Sequence, residues 1–268
     1  MDVRWLDALE LETAPCTVRY CPTLDAPAHA EIAPSRPLAG VVLEFAGILY
    51  DDTVWQRWFV RLLARIGLQT QYGPFFRTFE RDYLPAVHEG RDYWEAMRDF
   101  LNASGLTRGQ VDELQIAGSS RYRQLENDIR PLPGVVATLA QWAAWQIPVV
   151  ILSNTQYSQQ ELLERLQTLG IANQFRAVLS SRELGVRKPD AAAYRAALHA
   201  MKIPAEGAAF VSKQTDDLRG ARKAGMFTIA VHHESGTRAD LQLDRFDQLL
   251  QTICPAKANR PATSKLAS

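Results

Sequence analysis

The chain has 268 residues, 47% hydrophobic and 22% charged, the balance of a globular protein. Thirty Lys and Arg offset thirty Asp and Glu, so the formal net charge is zero, which argues against nucleic acid or a charged membrane surface as a partner. The longest apolar runs, such as 147–152, are far shorter than the ~20 residues that cross a bilayer. The acidic start, with Asp2, Asp7, Glu10 and Glu12, lacks the pattern of an export signal, so a cytoplasmic location is expected. Cys16, Cys21 and Cys254 make neither a disulfide framework nor a zinc cluster and read as reduced thiols.

Residues 1–39, broken by Pro15, Pro22, Pro27, Pro34 and Pro37, read as an N-terminal extension with room for one short strand at 17–20. Val41, Val42 and Leu43 form the run of a strand buried on both faces. After a turn at Gly47, a helix carries Trp55, Trp58, Phe59, Leu62 and Ile66 at helical spacing. From 71 to 128 the pattern is helical throughout and predicts an inserted all-helical cap. Phe75, Phe76, Phe79 and Tyr83 share one face, and Tyr93, Trp94, Met97, Phe100 and Leu101 another. A third helix opens at Thr107.

Beyond the cap, helix and strand alternate. Helices are expected at 134–145, 159–169, 189–201, 216–224 and 246–253. Strands are expected at 148–152, 177–180, 208–211 and 227–231. This alternation predicts an α/β fold, a Rossmann-like parallel sheet with helices on both faces, formed by 40–70 and 129–254. The polar segment 255–268 is expected as a flexible tail. Ligands of such sheets sit at the carboxyl ends of the strands. The candidate site is therefore Glu44 to Gly47, Ser153, Asn154, Lys188 and the stretch from Ser212 to Asp217.

These four strand ends resemble the four motifs of the haloacid dehalogenase-like superfamily. The Asp-x-Asp-Gly-Thr-Leu pattern that ends the family's first strand is matched by Glu44-Phe45-Ala46-Gly47-Ile48-Leu49. The second motif is matched by Val149 to Ser153, followed by Asn154. The third is matched by Lys188-Pro189-Asp190, with Tyr194 beyond. The fourth is matched by Ser212-Lys213-Gln214-Thr215-Asp216-Asp217, followed by Gly220-Ala221 and Ala224-Gly225. A helical cap between the first and second motifs fits the same family.

The resemblance implies that Glu44 stands where the nucleophilic Asp stands, Ala46 where the acid/base Asp stands, and Lys213 where a Mg²⁺-holding Asp stands. It also implies that Ser153, Asn154 and Lys188 grip phosphate. Glutamate carries its carboxylate on the order of 1 Å further out, a displacement that can cost roughly a hundredfold. Loss of a general acid costs about 10²–10⁴-fold. Lys213 is expected to supply the positive charge of a missing cation and to bond Glu44, Asp217 or both, so no metal or other cofactor is expected. On these substitutions the chain is expected to be a catalytically silent member, a pseudoenzyme that binds a protein partner or a small anion. The alternative is an active hydrolase of phosphate esters or related small substrates, using Glu44 in place of Asp and then Mg²⁺. A phosphonoacetaldehyde hydrolase, which also resembles the pattern with Ala at the third place, is disfavoured because the cap has no Lys.

Other candidates read as structural. His232, His233 and Glu234 are expected at a solvated strand end, and Asp51 and Asp52 as helix-capping residues. Trp94 and the cap's Phe75, Phe76, Phe79 and Tyr83 are expected as bundle core. Which of Arg77, Arg81, Arg91, Arg98, Arg121 and Arg123 face the cleft is left open.

Overall fold

The structure is a computed structural model that describes residues 37–233 and 236–254. The strand expected at 17–20, Cys16 and Cys21, Glu234 and the tail 255–268 lie outside the described residues.

Six strands form one parallel sheet: β1 (Gly40–Leu43), β2 (Val149–Ser153), β3 (Ala177–Ser180), β4 (Ala208–Ser212), β5 (Phe227–Val231) and β6 (Leu241–Leu243). Their spatial order is β3-β2-β1-β4-β5-β6, with Val42 in register with Val150 on one side and Phe210 on the other. The chain moves outward from β1 to β3, returns to β4 on β1's other side, and moves outward again. The reversal therefore lies between β1 and β4, where open parallel sheets leave their crevice.

Alternation along each strand sorts its side chains into two cores. Val41, Leu43, Val149, Ile151, Val178, Val211 and Ile229 share a core on one face. The helices α6 (Val135–Ala144), α7 (Gln159–Thr168) and α11 (Leu249–Thr252) cover that face. Val42, Val150, Leu152, Phe210 and Ala230 share the opposite core with α9 (Ala191–Met201) and α10 (Thr215–Lys223). Ser158 and Glu161 bond each other's backbone in a capping box that starts α7. The Asp190 side chain accepts from Ala192 N to start α9.

The second cluster is helical. It contains α1 (Val54–Arg65), α2 (Tyr72–Asp82), α3 (Leu84–His88), α4 (Tyr93–Ala103) and α5 (Arg108–Asn127). The α1 face of Trp55, Phe59, Leu62 and Leu63 is buried with Phe75, Phe76, Phe79, Met97 and Leu114, so the helical cluster reaches back to residue 54, short of the boundary at 71 drawn from the sequence. Trp55 is its hub. Its ring stacks on Phe59, meets Phe76, Tyr93, Trp94 and Tyr122 edge-on, and its Nε1 donates to Gly118 O at 2.9 Å. Phe75, Phe76 and Phe79 are bundle core as expected, with Trp94 and Tyr83 packed at its edge.

Candidate active site

Glu44 follows directly from β1, at the centre of the sheet. Its Oε1 accepts from Phe45 N at 2.8 Å and from Ser153 Oγ, at the end of β2, at 3.0 Å. Its Oε2 pairs with Lys188 Nζ. The same ammonium lies 2.9 Å from Asp217 Oδ2, in the first turn of α10. The Lys188 side chain is 0% exposed, against 10% for Glu44 and 11% for Asp217. One buried cation is thus shared by two nearly buried carboxylates, the pairing that a charge so placed requires. Burial pushes the Lys188 ammonium below the usual lysine range, and Asp217 partly offsets that shift.

Further residues hold this group in place. Asn154 closes a double hydrogen bond on the Lys188 backbone: Nδ2 donates to Lys188 O and Oδ1 accepts from Lys188 N, both at 2.9 Å. Its amide therefore orients Lys188. Tyr194 is fully buried and donates to Asp217 O at 2.7 Å. Gly220 makes that approach possible, since a Cβ there would lie 2.7 Å from the Tyr194 hydroxyl and 2.9 Å from Pro189 O.

Lys213, just past β4, bonds neither Glu44 nor Asp217. Its ammonium lies 2.8 Å and 2.9 Å from the two oxygens of Asp52, and its side chain packs on Gly47, where a Cβ would overlap it. The pairing expected from the sequence is corrected by reach. The buried Lys188 already holds both carboxylates, while Lys213, 21% exposed, extends outward along the loop after β1 to Asp52. Asp52 is therefore no helix cap. Asp51 Oδ1 accepts from Thr53 N at 2.9 Å and Oδ2 from Arg57 at 2.7 Å. Burial raises the Asp51 carboxyl, but these hydrogen bonds outweigh it and leave the group below its ordinary value.

His232 also departs from expectation. It is half-buried with φ 52°, and its Nδ1 is 3.4 Å from Gly47 O. Burial pushes its imidazole below the ordinary histidine value, the contact with Gly47 raises it, and Lys213 lowers it.

The Mg²⁺ that the resemblance implies does not fit these side chains. Such an ion takes near-octahedral oxygen ligation, commonly with carboxylates among its ligands. Here the carboxylates of Glu44 and Asp217 are both committed to the Lys188 ammonium, and Lys213 brings a second ammonium onto the adjoining Gly47. Among the described residues no three His, Cys, Asp or Glu side chains come together as a metal site.

A cavity of about 400 Å³ opens beside Glu44. Phe45, Ala46, Ser153 and Asn154 contribute to its wall from the strand ends, and Trp55, Tyr93, Tyr122 and Leu125 from the cap. Tyr122 and Tyr157 hydroxyls meet at 2.7 Å, and the Arg165 guanidinium lies 4.1 Å over the Tyr157 ring. None of the six cap arginines left open by the sequence lines this cavity; Arg130 and Arg165 do. Arg91 borders a separate trough with Arg182 and Arg187, and is itself bonded to Asp99 at 2.5 Å. Sequence reasoning missed Asp52, Tyr93, Tyr122, Tyr157 and Arg165 as site residues. The only signal for Tyr93 was its place on an apolar helix face.

A parallel sheet whose first strand ends in a carboxylate, flanked by a hydroxyl and a buried ammonium under a helical cap, defines a hydrolase-type α/β scaffold. The chain belongs to the haloacid dehalogenase-like hydrolase family, whose model matches residues 26–225. A glyceraldehyde 3-phosphate phosphatase of Methanothermobacter thermautotrophicus is 33% identical over 166 residues, 56% of this chain and 72% of the relative. One of Methanopyrus kandleri is 29% identical over 136 residues, 47% of this chain and only 57% of the relative. An L-2-haloacid dehalogenase shares the fold at a TM-score of 0.60 and 21% identity, over 81% of this chain and 99% of its own.

These findings overturn the expected pseudoenzyme. The relatives carry the names of working phosphatases, phosphoglycolate phosphatase of Neisseria gonorrhoeae among them, and a structural neighbour that of a dehalogenase. The physical reason the expectation failed is visible at Glu44, whose longer carboxylate is still held by a backbone amide, a hydroxyl and an ammonium. Among the described residues no helix is long and apolar enough to cross a membrane.

Proposed function

We propose that the chain hydrolyses phosphate esters or related small anionic substrates, with the Glu44 carboxylate as nucleophile. The observation that carries this reading is the three-sided grip on Glu44 from Phe45 N, Ser153 Oγ and Lys188 Nζ, next to a cavity of ligand size. Positioning by fixed donors is what a displacement at phosphorus asks of a protein.

In the proposed reaction a Glu44 oxygen bonds to phosphorus while the bond from phosphorus to the ester oxygen breaks. The departing oxygen takes its proton from solvent. Water then attacks the acyl phosphate, releasing phosphate and restoring the carboxylate. Ser153 Oγ and the Lys188 ammonium would hydrogen-bond the transferring group's oxygens and offset its charge. Lys188 supplies this charge in place of a metal ion, and Asp217 and Asn154 keep it aimed.

Initial rates on a panel of phosphate monoesters, with and without a chelator, test this. Turnover that survives chelation and disappears in Glu44→Gln is expected. Turnover unchanged in Glu44→Gln would contradict it.

A further inference from the structure

Aromatic rings form one part of the wall of the cavity beside Glu44. Trp55, Tyr93, Tyr122 and Tyr157 line it together with Leu125, and at the strand end Ala46 leaves open the space a larger side chain would fill. Its volume of about 400 Å³ lies within the range of small-ligand sites, which are mostly apolar with a few placed polar groups.

Of the carboxylates that line the cavity, Asp51 is bonded to Thr53 and Arg57, and Asp52 to Lys213. Asp128 stands exposed past the end of α5. Two residues beyond Glu44 the side chain is a methyl group. Among the described residues, the two wall carboxylates nearest Glu44 in the chain, Asp51 and Asp52, are thus each committed to a cation and not free to protonate a departing oxygen. A leaving group that needs such help, an alkoxide whose conjugate acid is about as weak an acid as water, departs poorly. One that leaves as a phenolate, with a conjugate acid near pKa ~10, needs no donor.

We infer that the substrates are phosphate monoesters of phenol-like alcohols, with the aromatic ring seated among Trp55, Tyr93, Tyr122 and Tyr157 and the phosphate at Ser153 and Lys188. This rests on the hydrolase reading above and names its substrate class. The ring and the missing acid support each other: the group the cavity is shaped to hold is also the group that can leave unassisted.

The test uses the purified full chain, phenyl and methyl phosphate as substrates, and phenylphosphonate and methylphosphonate as uncleavable probes. The expected result is kcat/KM at least about a hundredfold higher for phenyl phosphate, with phenylphosphonate bound at least about tenfold more tightly by calorimetry. Leu125→Trp, which fills the cavity from a half-buried wall position, should abolish the binding preference while sparing methylphosphonate. Ala46→Asp should raise methyl phosphate turnover more than phenyl phosphate turnover. Similar turnover of both esters with equal phosphonate affinities would overturn the inference and leave the hydrolase reading standing. Tighter phenylphosphonate binding with no ester cleaved would support the aromatic seat and overturn the hydrolase reading. No turnover and no binding preference would overturn both.

Discussion

The two flanks of Glu44 are built from the same kinds of residue and behave differently. Toward β2 and α9, Ser153 and Lys188 reach Glu44 directly, Asn154 and Tyr194 brace the arrangement, and the cation is fully buried. Toward β4, Lys213 begins as close in the topology, one residue past a strand hydrogen-bonded to β1, yet ends on Asp52 at the cavity rim. The difference shows that a lysine's position on the sheet does not choose its partner; burial and prior occupancy do. An ammonium with no access to water must be matched where it lies. One that keeps a fifth of its surface in water can turn to whichever carboxylate its stem reaches.

Substitutions on the two flanks should separate them sharply. Glu44→Gln keeps the size and most hydrogen bonds of the side chain but cannot form the acyl phosphate. Its turnover should fall by on the order of 10³ or more, read as kcat on the best ester, while the fold is retained. Lys188→Met leaves two nearly buried carboxylates facing each other. Urea unfolding should register a loss of about 3–5 kcal/mol, and a loss below about 1 kcal/mol would mean that the buried flank is not held by its charge.

The rim flank predicts less. A double-mutant cycle on Asp52→Asn and Lys213→Met should give a coupling of about 0.5–1 kcal/mol, as for partly exposed pairs. A cycle joining Lys213→Met with Glu44→Gln should give a coupling near zero; a larger value there would restore the pairing expected from the sequence. The smallest effect is in acid. His232 is held below its ordinary value of 6.5, so the folded chain binds fewer protons there than the unfolded chain once pH falls below that value. Its contribution is complete above the unfolded value and is lost as pH drops. His232→Asn should lessen the stability loss between neutral and mildly acidic pH by less than about 1 kcal/mol, discounted for partial exposure.

Much of this was legible in the sequence because strands buried on both faces leave unbroken apolar runs. Val41 to Leu43, Val149 to Leu152 and Ala208 to Val211 could be placed for that reason, and Glu44, Ser153 and Lys188 follow from the ends of their elements. The strand β6 was missed because it is three residues long and partly exposed. The short helix α8 (Ser181–Leu184) was missed for lack of a full helical repeat, whereas α3 lies inside the stretch 71–128 read as helical. The amphipathic face of α1 suits either core, so its packing with the cap was undetermined. Lys213 and Asp52 lie 161 positions apart, and nothing local ties one to the other. The cavity's rings lie on several elements and are brought together by tertiary packing alone. Counting altered motif positions one by one also hid how firmly the surrounding donors still hold the Glu44 carboxylate.

The most direct measurement is to mix the chain with phenyl phosphate, quench in acid within a turnover, and locate any phosphoryl group by peptide mass spectrometry. The account predicts an acid-stable adduct on the Glu44 carboxylate that is absent in Glu44→Gln. Steady hydrolysis with no adduct, or an adduct on another side chain, would contradict it.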